Sequence, residues 1–123
     1  MYARAALAYR DVDLESADKP DLVARLFGRF LDDLARGKAA IEARDIQGKA
    51  IALDHAIRIV TELRAALDHK QAPELCANLD ALYQFVLDQI YAASSMLHAG
   101  PLAHAQRVMT ELRDAFVQAE RHR

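Results

Sequence analysis

Leu102, Ala105, Met109, Leu112, Phe116 and Ala119 recur at spacings of 3, 4, 3, 4 and 3. That period belongs to a helix with one buried face. Ile46, Ala50, Leu53, Ile57, Val60, Leu63 and Leu67 follow at 4, 3, 4, 3, 3 and 4. This is a near-heptad seam, expected where helices cross at about 20°. Leu22, Val23, Leu26, Phe27, Phe30, Leu31, Leu34 and Ile41 mark a wider stripe upstream. No strand-type alternation of β-branched residues competes with these patterns. Only four Gly and three Pro are available for turns. The class is therefore all-α.

Punctuation between the seams sets the order of the helices. Asp18 is placed to cap the first, with Asp21 three residues on and Pro20 in the first turn, where a missing N–H is harmless. Arg44-Asp45 is a tight connection that suits only an antiparallel neighbour, and Asp45 caps the second helix. His69-Lys70-Gln71-Ala72 is polar, and Pro73 opens the third. Either Ser94-Ser95 ends the third helix, or Gly100 closes it with Pro101 opening the next. The pattern predicts an antiparallel up-down-up-down four-helix bundle over residues 18–123, with helices near 19–43, 46–68, 73–97 and 101–120. Residues 1–17 form an N-terminal arm, flexible or packed on the bundle through Tyr9 and Val12.

The third helix carries more apolar surface than one core face needs. Leu79, Leu82, Val86 and Ile90 follow the spacing of a core stripe. Tyr83, Leu87 and Tyr91 form a second stripe, and Phe85 lies beyond both. Ile51 and Ile59 fall off the second helix's seam in the same way. Burying a side chain of this size contributes roughly 1.5–3 kcal/mol, and soluble monomers seldom leave large apolar patches bare without a use. The cover is an amphipathic helix of another chain, the arm, or a second copy; composition leaves these open.

Other function classes find little support. Net charge is −2 with acids and bases interleaved, so neither nucleic acid nor an anionic membrane is an expected partner. Residues 89–106 lack Asp, Glu, Lys and Arg but contain Gln, Ser, His and Gly100-Pro101, which argues against membrane insertion. Residues 5–9 are too short an apolar run for an export signal. A single cysteine, Cys76, allows no internal disulfide. A reducing cytoplasm is the expected compartment. Di-metal bundles use Glu-x-x-His, which is absent, as are His-Glu-x-x-His, Cys-x-x-Cys and a Gly-rich phosphate loop. His55, His69, His98, His104 and His122 share no ligand spacing. Cys76 reads as a small buried residue rather than a nucleophile. Asp80 and Asp88 read as a solvated strip with Gln84, and Arg58 as the partner of Glu62. No catalytic residue, metal or cofactor is expected.

Several motifs in order resemble one family. Tyr9-x-x-Val12-x-Leu14-Glu15-Ser16-Ala17 is similar to the amino-terminal segment of the flagellar export chaperones that bind flagellin, the FliS family. Leu22, Val23, Leu26 and Phe27 follow at the family's places. Arg44-Asp45 stands where the family has Gly-Asp. Ile59-Val60-Thr61-Glu62-Leu63-Arg64 with Leu67-Asp68, then Asn78-Leu79-Asp80-Ala81-Leu82-Tyr83, resemble its second- and third-helix signatures. Glu111-Leu112-Arg113-Asp114-Ala115-Phe116 resembles the last, with Phe where Trp or another aromatic is usual. Departures are local: Lys19 precedes Pro20 where the family has Pro directly, Phe27-Gly28-Arg29 replaces Tyr-Asp-Gly, and Asp88-Gln89 replaces a basic pair.

The resemblance implies a cytoplasmic, non-enzymatic chaperone. It would bind the carboxy-terminal segment of flagellin, prevent premature polymerisation and assist delivery to the flagellar type III export apparatus, whose gate components are further candidate partners. The partner-binding residues expected are Tyr9, Val12, Ile51, Ile59, Tyr83, Phe85, Leu87 and Tyr91. The alternative is a homodimeric structural bundle, or an adaptor for another amphipathic helix.

Overall fold

The computed structural model describes residues 19–121. They form four helices, α1 (Lys19–Glu42), α2 (Ile46–Ala65), α3 (Pro73–Met96) and α4 (Gly100–Arg121). The arm expected over residues 1–17, with Tyr9 and Val12, lies outside the described residues, as does the Asp18 cap. α1 packs on α2 and α4, and α3 packs on the same two. This cyclic order, with short reversals at 43–45, 66–72 and 97–99, is that of an antiparallel bundle.

The core runs down the middle of all four helices. Phe27, Phe30, Val60, Leu63, Leu79, Tyr83, Ile90, Met109, Leu112 and Phe116 are nearly or wholly buried. Phe27 of α1 and Phe116 of α4 stack tilted, ring centroids 6.3 Å apart, within the favourable range for aromatic pairs. α1 and α2 pack the most intimately of the neighbouring pairs. Gly37 is part of the reason: a Cβ there would come within 2.5 Å of Leu53 Cδ2, and Leu53 is buried.

Local chemistry explains the helix ends. Asp45 caps α2, its Oδ1 accepting from the Gly48 amide at 2.9 Å. Before it, Arg44 adopts a left-handed φ of 57°, the position where helices usually place Gly. The Asp45 amide closes this turn on the Ala40 carbonyl at 2.8 Å. α2 stops at Ala65 rather than 68. Asp68 draws the chain into a turn by accepting from the Lys70 and Gln71 amides at 3.2 and 3.3 Å. Leu67, though beyond the helix, remains buried. Pro73 stands in the first turn of α3 as the sequence indicates. Neither Ser94-Ser95 nor Gly100 ends α3. Leu97 takes the left-handed conformation, φ 51° and ψ 45°, while the His98 amide bonds to the Ala93 carbonyl at 3.1 Å. Gly100 opens α4, its amide donating to His98 Nδ1 at 2.8 Å.

Two buried stripes differ from the pattern read off the sequence. On α2 the buried positions are Ala52, Leu53, Ala56, Val60 and Leu63. Ile57 is half-buried, and Ile46 and Ala50 are exposed. A strict heptad drifts about 20° per repeat across a straight helix, so the amino-terminal end of the seam rotates off the core. On α3, Tyr83 and Leu87 are core, 0% and 7% exposed, whereas Leu82 is only half-buried. The bundle uses the face centred on Leu79, Tyr83, Val86 and Ile90. Tyr83 and Leu87, expected among the surplus apolar surface, are thus corrected to core positions of the single chain.

Charged residues also settle differently. Arg58 pairs with Asp54 at 3.1 Å, not with Glu62. With the acid four residues earlier, this is the favourable order. Among the described residues Asp33 of α1 is the buried carboxylate, 5% exposed. Its Oδ1 accepts from Arg36 at 3.4 Å and lies 4.0 Å from His55 Nδ1 of α2. Burial pushes its pKa up, against the pull of His55, Arg36 and Arg29.

Candidate helix-docking seam between α2 and α3

α2 and α3 are the least intimately packed of the neighbouring pairs, and their seam is partly polar. Arg64 of α2 grips Asp80 of α3 with two hydrogen bonds, Nε to Oδ1 at 2.8 Å and Nη2 to Oδ2 at 3.0 Å. Its Nη1 donates to Gln84 Oε1 at 2.8 Å. Gln84 Nε2 in turn donates to Asp88 Oδ1 at 2.9 Å. These bonds hold the Asp80 carboxyl below its ordinary range and keep the Arg64 guanidinium more firmly charged. Further along, Lys49 Nζ donates to the Ser94 carbonyl at 3.2 Å.

The same bonds fix which helix faces oppose each other. Residues seven apart lie nearly on one line of a helix. On α2, the Arg64 line runs back through Ile57 and Ala50. On α3, the Asp80 and Gln84 side continues to Leu87 and Tyr91. The Arg64 clasp therefore holds one half of the seam; the other half is apolar around Ile57, Leu87 and Tyr91 and is crossed at its far end by the Lys49–Ser94 bond. Ile57 is half-buried, Leu87 is its buried floor and Tyr91 is 54% exposed.

The residues expected to bind a partner do not form one surface. Tyr91 and Leu87 lie along this seam, and Tyr83 is beneath it in the core. Ile51, 55% exposed, points away from the bundle. Ile59 is half-buried and lies toward α1, one turn after His55, which neighbours Asp33. Phe85 follows Gln84 by about 100° of helix; it is 41% exposed on the opposite edge of α3, nearer α4. Tyr9 and Val12 are outside the described residues.

Sequence reasoning missed Arg64 as the organiser of the seam. It placed Asp80 and Gln84 in solvent because nothing local reveals a partner on another helix. It also missed the bundle end beside the seam. There Ile41, Ile46, Lys49, Leu97, His98 and Ala99 border an open pocket of about 580 Å³. A second hollow of about 500 Å³ lies between α1 and α4, against Leu31, Lys38, Leu102 and Gln106.

Cys76 is buried, its Sγ donating to the Asp68 carbonyl at 3.3 Å, and burial raises its pKa. Among the described residues no three His, Cys, Asp or Glu side chains are grouped to hold a metal. No helix among them is long and apolar enough to cross a membrane.

The described residues form a four-helix bundle with a partly open apolar stretch between α2 and α3. The chain belongs to the flagellar protein FliS family, whose pattern it matches over residues 1–123. It is 30% identical over 121 residues to the flagellar secretion chaperone FliSB of Pseudomonas aeruginosa, covering 94% of this chain and 96% of that protein. It is 30% identical over 125 residues to the flagellar secretion chaperone FliS of Escherichia coli, covering 97% and 92%. The Bacillus subtilis protein of the same name is 29% identical over 112 residues, covering 91% and 83%.

Proposed function

We propose that this chain is a flagellar secretion chaperone whose client is flagellin. It binds the carboxy-terminal segment of flagellin, keeps that segment from polymerising early and assists its delivery to the type III export apparatus. It acts by binding rather than catalysis, in the cytoplasm before export. Family membership supports the chaperone role. The structural observation that carries the client reading is Tyr91, more than half exposed beside half-buried Ile57 on the apolar half of the α2–α3 seam.

The physical logic is direct. A client segment with amphipathic helices self-associates when bare. One such helix laid along the seam hides its apolar face and buries Tyr91. Ordering the segment on binding has an entropic cost, which leaves release accessible at the export machinery. The arm containing Tyr9 and Val12 is assigned to cover part of the same surface when no client is present.

Titration with flagellin, and with flagellin lacking its carboxy-terminal segment, tests the reading. Binding is expected only for the intact client. Equal binding of both forms sinks the carboxy-terminal assignment. A chain without residues 1–17 is expected to bind at least as tightly as the full chain, and a large loss would make the arm a direct client contact.

A further inference from the structure

We propose that His98 is a pH-operated pin at the α3–α4 turn: its neutral ring holds the start of α4, and protonation of the ring frees the first turn of that helix.

His98 serves both helices at once. Its backbone amide closes α3 on the Ala93 carbonyl at 3.1 Å. Its ring Nδ1 accepts from the Gly100 amide, in the first turn of α4, at 2.8 Å. Ala99, which precedes the helix, has no side-chain oxygen to offer that amide, and Pro101 has no N–H of its own. Gly100 is what lets the ring approach: a Cβ there would stand 2.6 Å from His98 Cε1 and 2.8 Å from Nδ1. Beside the ring, Leu97 holds a left-handed φ of 51° and is 50% exposed. Burial therefore does little to secure this turn, and the bonds made by His98 carry more of that task.

Protonation removes the ring's bond for two reasons. An imidazole nitrogen accepts only while it carries no proton, and the imidazolium ring has two donors and no acceptor. A positive ring at the amino end of a helix also opposes the helix dipole. Histidine is the side chain suited to make this change near neutral pH, and His98 is exposed, so the proton reaches it from solvent. The charged groups nearby are balanced. Glu42 of α1 and Asp45 before α2 border the same hollow as Arg44 and Lys49. Asp45 is bonded to the Gly48 amide and Lys49 to the Ser94 carbonyl. Residues 89–106 of α3 and α4 bring no Asp, Glu, Lys or Arg, and His104, one turn into α4, is exposed. The loss of the acceptor and the helix dipole therefore set the direction of the change.

The test uses the full chain, isotope-labelled, and reads the bond directly by NMR as the scalar coupling between the Gly100 amide nitrogen and His98 Nδ1. The coupling is expected at about pH 8 and is expected to vanish by about pH 5, in step with the titration of the His98 ring signals. No coupling at the higher pH means that the ring does not hold Gly100, and a coupling that survives at the lower pH means that nothing is released; either result overturns the proposal. His98→Asn supplies a second readout, because an Asn side-chain oxygen accepts from the amide two residues on whatever the pH. At the higher pH its Tm is expected to lie close to that of the parent. At the lower pH the parent is expected to fall a few degrees below the variant, the size of a lost helix cap. A Tm difference that is the same at both pH values would show that His98 does not operate the turn.

Discussion

Arg64 of α2 holds Asp80 of α3 through two parallel hydrogen bonds, at 2.8 and 3.0 Å, across the least intimately packed pair of neighbouring helices. Both side chains are partly exposed, 28% and 40%, so the pair is worth no more than about 1 kcal/mol in a double-mutant cycle. Its larger effect is on alignment, because a bidentate fork fixes the register of the two helices.

The Asp80 carboxyl titrates low because Arg64 bonds to its charged form. Its contribution to stability is present above the unfolded pKa, near 3.8, and is lost as pH falls through the lowered folded value. Arg64→Met is expected to return the Asp80 titration, followed by carboxyl carbon chemical shift, toward that ordinary value. An unmoved titration midpoint would show that Arg64 is not the cause.

Tyr83 and Tyr91 are two turns apart on α3 and are expected to respond in opposite ways. Tyr83 is 0% exposed, and truncating a buried aromatic costs about 3–5 kcal/mol. Tyr83→Ser is therefore expected to lower the chemical-denaturation midpoint sharply or abolish folding. Tyr91→Ser, at a 54% exposed position, is expected to shift stability by less than about 0.5 kcal/mol while weakening flagellin binding. Equal stability losses for the two would place Tyr91 in the core and remove the open seam.

Asp33 reverses the acid behaviour of Asp80. Burial raises its folded pKa above the ordinary 3.8, so the folded chain holds this proton more tightly than the unfolded chain. The associated stability is complete below that ordinary value and is lost as pH rises through the raised folded value. Asp33→Asn removes the buried charge while keeping the shape. It is expected to be more stable than the parent near pH 7, by on the order of 1 kcal/mol, with the difference vanishing at low pH. Thermal unfolding at both pH values checks this, and a less stable variant at pH 7 would mean that His55 and Arg36 outweigh the burial cost.

Arg44 tests the helix-end chemistry. Its φ of 57° is one that an arginine adopts at a cost and a glycine does not. Arg44→Gly is expected to gain about 1 kcal/mol, read as a Tm increase of a few degrees. A decrease in Tm would show that the Arg44 side chain contributes more than its backbone strain.

Helix count, the Asp45 cap, Pro73 in the first turn of α3 and the burial of Cys76 are all legible in the residues themselves. Each is decided by a period or a cap within a few residues. The core face of α4 is legible for the same reason: its polar and apolar sides are cleanly divided, and Leu102, Ala105, Met109, Leu112 and Phe116 are all buried.

Only the tertiary structure decided which faces of α2 and α3 are covered. Helical period gives the angles between residues but not the direction of the bundle axis. A helix apolar on several sides, such as residues 78–91, can therefore be turned more than one way. Packing against α2 and α4 takes Tyr83 and Leu87 inward, leaves Tyr91 on one edge and places Phe85 on the other. The clasp of Arg64 on Asp80 joins positions 16 residues apart on separate helices, and the strain at Leu97 arises from how α3 must turn to return along the bundle as α4. Both depend on where whole helices sit, which no local spacing encodes.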